Sequence, residues 1–202
     1  MKNFVLDHVL EIMSVLGACV AVYTVVFWGS MPTLQRCTGI FILGITLHLW
    51  EEGRFPGGFT AMITERLHFT QLDPRFGDFV TALLVLLIGY VPFFFPNIAF
   101  LVFAGIFLGY VEVFAHLVAI KMFKKDKPYT PGMATALVVL LPIAVYTTWY
   151  LVANALMAPL SWLFSIACLL VCVAVAQQVV VRTSGMKYSV FLKNVQGALR
   201  GK

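Results

Sequence analysis

Charge is scarce in this chain: only 11% of its 202 residues are Asp, Glu, Lys or Arg, while 61% are hydrophobic. That balance excludes a soluble globular domain and a disordered segment, both of which need far more polar surface. Acids are the rarer sign, 9 against 14 Lys and Arg, so an acid inside an apolar run calls for a reason. Long linkers, internal repeats and low-complexity tracts are also missing, which leaves one domain over residues 1–202. The cysteines Cys19, Cys37, Cys168 and Cys172 form no Cys-X-X-Cys pair and sit in or near apolar segments, so they read as small apolar side chains. The net charge of +5 lies beside apolar segments instead of forming a basic domain, which argues against nucleic acid as a partner.

Apolar runs are what the chain has in abundance. A mean hydropathy of +0.93 marks an integral membrane protein. Six spans are predicted, in an all-α bundle: Val9 to Trp28, Thr38 to Trp50, Phe79 to Phe95, Ile98 to Met122, Gly132 to Val152 and Pro159 to Val181. The second has a short apolar core, and helix extending from Leu34 through Glu52 gives it a spanning length; a re-entrant segment is the alternative. With six spans, every Lys and Arg except Arg36 falls on one side, so the positive-inside rule places both termini in the cytoplasm. In a bacterium this is the inner membrane. Asp7 and Glu11 spoil the basic n-region of a cleavable signal, so the first span is expected to stay. Trp28, Trp149, Trp162 and Trp50 fall near span ends, as interfacial indoles do. Beyond the last span, residues 183–202 place Tyr188, Phe191, Leu192, Val195 and Leu199 at helical spacing among basic residues, the pattern of an interfacial amphipathic tail.

Within this apolar background two polar pairs stand out. His48, Glu51 and Glu52 end the second span at offsets of three and four, so all three point into one helical sector of about 100°. Glu112 and His116 are four apart on the fourth span, about 14 Å and about 8 Å of helix from Lys121 at the inner boundary. Both groups thus fall at the same level on the cytoplasmic side. A carboxylate inside a span costs about 2.5 to 3.5 kcal/mol on insertion scales, so Glu112 needs a partner within the bundle. His and carboxylate are ligands of zinc and iron, and His48, Glu51, Glu52, Glu112 and His116 supply enough donors for one or two ions. His8 and Glu11 at the inner end of the first span, and His68 in the long connection, are further candidates. Gln177 and Gln178 on the sixth span are polar at a similar level.

The stretch His48-Leu49-Trp50-Glu51-Glu52, the run Pro56-Gly57-Gly58-Phe59, the added histidine His116 and Tyr129-Thr130-Pro131-Gly132 together resemble the HXXEE domain family of small integral membrane proteins. The resemblance covers Leu47 to Gly132 and implies an integral membrane enzyme without implying a substrate. Read physically, Pro56 and the paired glycines turn the chain back after Glu52, and Pro131 suits the first turn of the fifth span. Tyr129, just before it, is placed to donate to a developing oxyanion, or is an interfacial aromatic.

The function these residues favour is metal-dependent chemistry on an amphipathic, lipid-like substrate. Zinc is favoured, with hydrolysis as the reaction, Glu52 or Glu51 moving protons and Tyr129 assisting. Iron and oxygen chemistry, a metal-free acid/base isomerase and an ion-coupled transporter are the alternatives; against the last, the outer side offers little beyond Thr24, Thr147, Thr148 and Asn154. A purely structural pairing of these groups would stabilise the bundle less than apolar packing does.

Overall fold

The computed structural model describes residues 2–69, 73–123 and 128–200, and regular structure among them is helical, with no strand. Lys124, Lys125, Lys127 and Lys202, which contribute to the loop-charge argument, lie outside the described residues. The helices are α1 (Lys2–Asp7), α2 (Val9–Val26), α3 (Thr33–Gly53), α4 (Phe59–Arg66), α5 (Pro74–Phe94), α6 (Ala99–Phe123), α7 (Met133–Ala153), α8 (Pro159–Thr183) and α9 (Tyr188–Leu199).

Five of them, α2, α5, α6, α7 and α8, are long and apolar enough to cross a membrane. Their large apolar side chains remain exposed, Val25, Phe114, Val138 and Leu163 among them, as lipid contact requires. The second expected span behaves differently. It is one continuous helix of 21 residues, α3, whose polar content keeps it out of that set. It touches α2, α5, α6 and α7, and Phe41, Ile42, Ile45 and Thr46 on it are buried. Most of the helix is enclosed and among its side chains only the stripe Ile40, Leu43 and Leu47 is exposed, so a narrow apolar face suffices and the rest of the sequence is free to carry polar groups.

Two further boundaries differ from expectation. α5 starts at Pro74, ahead of the expected Phe79, because Asp73 caps it by accepting from the Arg75 backbone N–H at 3.0 Å and proline suits the first turn. α7 starts at Met133, so Pro131 precedes the N-cap Gly132 instead of opening the helix. The turn expected after Glu52 is present: Gly57 has φ +75° and donates its N–H to the Glu51 carbonyl at 3.0 Å, wrapping the chain over the end of α3.

Both α5 and α7 widen into one π turn, at Leu86–Tyr90 and Ala136–Leu140. Each lies just before a proline, Pro92 or Pro142, which lacks an N–H and crowds the preceding turn, and the wider turn relieves that conflict. α6 presents Gly105 and Gly109 to these turns. A Cβ on Gly105 would collide with the Ile88 carbonyl oxygen, and one on Gly109 would lie 3.1 Å from the Leu140 carbonyl oxygen. This small-xxx-small pair lets α6 approach both neighbours by backbone contact. Glu112 and His116 follow on the next two turns of α6 and inherit that close placement.

Candidate metal centre

α3 and α6 meet with their polar groups facing each other. One donor atom from each of His48, Glu52, Glu112 and His116 lies within 4.8 Å of all the others. His48 Nε2 stands 3.6 Å from Glu52 Oε1 and 3.5 Å from Glu112 Oε2, and His116 Nε2 stands 3.5 Å from the same Glu52 oxygen. The two imidazoles are both 1% exposed and cross edge-on, with ring centres 5.2 Å apart. Both Nε2 atoms are buried without a hydrogen-bond partner among the described residues. An orphaned buried nitrogen is costly unless something outside the protein satisfies it.

The other ring nitrogens are held by threonines. His48 Nδ1 is 3.0 Å from Thr135 Oγ1, and His116 Nδ1 is 2.9 Å from the buried Thr130 Oγ1. Thr135 has one proton to give, and its hydroxyl donates to Glu51 Oε2 at 2.6 Å, an acceptor-only partner when ionised. Thr135 Oγ1 therefore accepts from His48 Nδ1–H, and a neutral His48 turns a lone pair at Nε2 toward the two carboxylates. Lone pairs and negative oxygens converging at this range repel one another. A divalent cation removes that conflict, and orienting the ligand through its second nitrogen is how metal-binding histidines are held. The donor set thus fits a metal ion.

Glu51, expected among the ligands, faces another way. Its Oε1 accepts from the Tyr129 hydroxyl at 2.8 Å and from the Ala134 N–H at 3.0 Å, and its Oε2 accepts from the Thr135 N–H at 2.7 Å as well as from the Thr135 hydroxyl. Gly132, the N-cap of α7, has no side chain to cap with, so a carboxylate from α3 satisfies the second and third N–H groups in its place. All acceptor sites of Glu51 are thereby occupied. Tyr129 is correspondingly turned to Glu51, and burial together with that carboxylate pushes its phenol up to about 12.

The remaining motif residues close the centre. Gly132 has φ +96°, and a Cβ there would lie 2.6 Å from His116 Cε1 and 2.7 Å from Glu52 Cγ. Phe59, the last residue of the Pro-Gly-Gly-Phe run, lies against the His116 ring at 4.8 Å between centres. All three motif segments therefore meet at one point. Thr130 and Thr135 are positions at the centre that the sequence reading missed: each holds the Nδ1 of one histidine, and their place in or beside the Tyr129–Gly132 segment is the signal that marks them.

The other candidates lie elsewhere. His8 is exposed, bonded through Nδ1 to the Phe4 carbonyl and stacked on Phe4. Glu11 pairs with Arg54 at 3.2 Å. His68 lines an open cleft beside α4, and Gln177 accepts from the Tyr188 hydroxyl at 3.2 Å. Glu52 alone among the four clustered residues also lines that cleft, which has a volume of about 670 Å³.

No curated protein and no solved structure matches the chain. A family described as "protein of unknown function with HXXEE motif" matches residues 39–147, a stretch that holds most of α3, all of α4, α5 and α6 and most of α7, with every residue of the centre. The chain belongs to this HXXEE family.

Proposed function

We propose that this protein is a metal-dependent membrane enzyme that hydrolyses an amphipathic, lipid-like substrate. The observation that carries the reading is the convergence of two orphaned buried Nε2 atoms, from His48 and His116, with the carboxylates of Glu52 and Glu112. With Glu51 engaged at α7, two histidines and two glutamates remain, a set suited to one ion. Donor atoms around a tetrahedral ion with bonds of ~2.1 Å stand about 3.4 Å apart. Among His48, His116 and Glu112, the His48 Nε2–Glu112 Oε2 pair at 3.5 Å matches that spacing, which favours zinc, and Glu52 Oε1 stands 3.6 Å from His48 Nε2 and 3.5 Å from His116 Nε2.

His48, His116 and Glu112 would hold the ion, which when bound lowers the pKa of water toward neutrality and polarises a carbonyl or phosphoryl oxygen. Glu52 is the residue common to the centre and the open cleft, so it is placed to take a proton from attacking water and pass it to a leaving group. Phe59 and the apolar walls of α3 and α6 keep the inner side of the centre dry.

In this reading α3 crosses the bilayer with the five apolar helices, both termini are cytoplasmic, and the centre lies just inside the cytoplasmic surface. The distribution of Lys and Arg supports that orientation, and Arg36 at the opposite end lies over the Trp28 ring at 5.2 Å. Of the apolar residues expected on the interfacial face of α9, Tyr188, Phe191 and Val195 pack with Leu67, Phe69, Met122 and Val181, and the exposed Leu192 and Leu199 then rest on the membrane.

The test is elemental analysis of the purified protein beside His48→Ala and Glu112→Gln. About one zinc per chain is expected in the wild type, with loss of metal and unchanged helix content in both variants. A wild type without metal, or variants that keep it, would overturn the assignment.

A further inference from the structure

Glu52 stands where two recesses meet. One is the cleft of about 670 Å³ beside α4, whose ionisable lining is Glu52, Glu65, His68 and Asp78 and which has no Lys or Arg among its described lining residues. The other is a narrower recess of about 180 Å³ between α1, α2, α3 and α5, walled by Leu6, Val9, Leu10, Met13, Leu49 and Ala82 and reaching Glu52 and Asp78. The two arginines at its rim are already paired: Arg54 with Glu11 at 3.2 Å, and Arg75 with Asp7 at 2.6 Å and Asp73 at 2.9 Å. Arg54 also acts on Asp78, so these two arginines stand against Asp7, Glu11, Asp73 and Asp78, which leaves the carboxylates in excess. An ion at the centre is in turn balanced by Glu52 and Glu112. The polar recess therefore carries surplus negative charge, the apolar one has room for one slender chain, and the buried Nε2 atoms of His48 and His116 aim at the carboxylate the recesses share.

We propose that the substrate is a single-chain amphiphile with a cationic head, its ammonium group in the acidic cleft near Glu65 and Asp78 and its alkyl chain in the slot between α2, α3 and α5, so that the bond joining head to chain lies at Glu52. This rests on the metal-enzyme reading for the reaction, and on the two recesses alone for the choice of substrate. Anionic heads are repelled by the same carboxylates, and the neighbouring apolar recess lined by Leu6, Phe76 and Val180 does not include Glu52 in its lining, so it offers no place for a second chain joined at that carboxylate.

The test measures calorimetric binding of hexyltrimethylammonium, hexyl phosphate and tetramethylammonium to the protein in phosphatidylcholine nanodiscs, with empty nanodiscs subtracted and metal content read on the same samples. Hexyltrimethylammonium is expected to bind about tenfold tighter than hexyl phosphate, since one close charge contact at a protein surface supplies at least that factor. Tetramethylammonium should bind more weakly for want of the chain. The double variant Glu65→Gln/Asp78→Asn should lose most of the head preference, and Ala82→Leu, which narrows the slot, should lose the chain's contribution while keeping that preference. Equal binding of the two heads, tighter binding of the phosphate, or a double variant that discriminates like the wild type would overturn the proposal. Intact discrimination in a protein without metal would instead sink the metal reading and leave this one standing.

Discussion

Thr135 Oγ1 lies 2.6 Å from Glu51 Oε2 and so gives its only proton to that carboxylate. One hydroxyl thus ties the cap of α7 to the tautomer of His48, whose Nδ1 is 3.0 Å away on its other side. Tyr129, Glu51, Thr135 and His48 form a chain of donors and acceptors that ends at the bare Nε2.

Thr135→Val keeps the shape of the side chain and removes the hydroxyl, leaving His48 free to rotate or to change tautomer. Loss of such a supporting contact lowers metal affinity by about 10- to 100-fold. Zinc competition against a chelator checks this, with Thr135→Ser expected to restore affinity. Thr130→Val should act likewise through His116, whose Nδ1 is 2.9 Å from that hydroxyl.

Glu51→Gln separates capping from ligation. Every contact of the Glu51 carboxylate is a donor, so an amide NH2 in either position faces N–H or O–H groups and leaves at least one of them unmet. A stability loss of about 1 to 3 kcal/mol is expected, read as a lower thermal midpoint in detergent. Its metal content should fall less than that of Glu112→Gln. Equal loss of metal in the two variants would show Glu51 to be a ligand.

How much of this was legible beforehand differs from residue to residue. Hydropathy exposed the apolar helices because their lipid-facing side chains must be apolar, and it understated α3 because most of that helix faces protein and among its side chains only the stripe Ile40, Leu43 and Leu47 is exposed. The offset of four brought His48 to Glu52 and Glu112 to His116, since that spacing is local and the helix fixes it. The split between Glu51 and Glu52 was not legible. Both lie in the same sector of α3, and only the position of α7, whose capped N–H groups are more than eighty residues away in sequence, assigns one to the cap and the other to the centre. The π turns carried a trace in Pro92 and Pro142, whereas Thr130 and Thr135 carried none of their own, threonine being common in any helix or loop.

Tyr129 gives the pH prediction. Its phenol is pushed up to about 12 by burial and by the neighbouring Glu51 carboxylate, from an ordinary value near 10. The fold therefore holds the proton more tightly than the unfolded chain does. The stabilisation is complete below about pH 10 and declines as pH rises toward 12. Tyr129→Phe should flatten that part of the curve of thermal midpoint against pH while leaving its shape between pH 6 and about pH 9 unchanged. A Tyr129-dependent change in the neutral range would mean that the phenol ionises far more readily than its partner allows.

Gly132 joins the Tyr129–Gly132 segment to the His48–Glu52 segment. With φ +96° it occupies backbone space that L side chains rarely adopt, and a Cβ there would crowd His116 at 2.6 Å and Glu52 at 2.7 Å. Gly132→Ala thus carries two penalties, backbone strain of about 1 to 3 kcal/mol and displacement of two donor groups from the centre. Metal binding should be lost together with activity, whereas helix content by circular dichroism should persist, because the bundle is held by the α6 glycines and the buried face of α3, which lie elsewhere. Gly58 is the control: it also has positive φ, at +89°, yet a Cβ there meets nothing within 4 Å. Gly58→Ala should therefore show the strain penalty alone, with metal content near wild type, and a matching loss of metal in both variants would attribute the effect at Gly132 to strain instead of to the crowded donors.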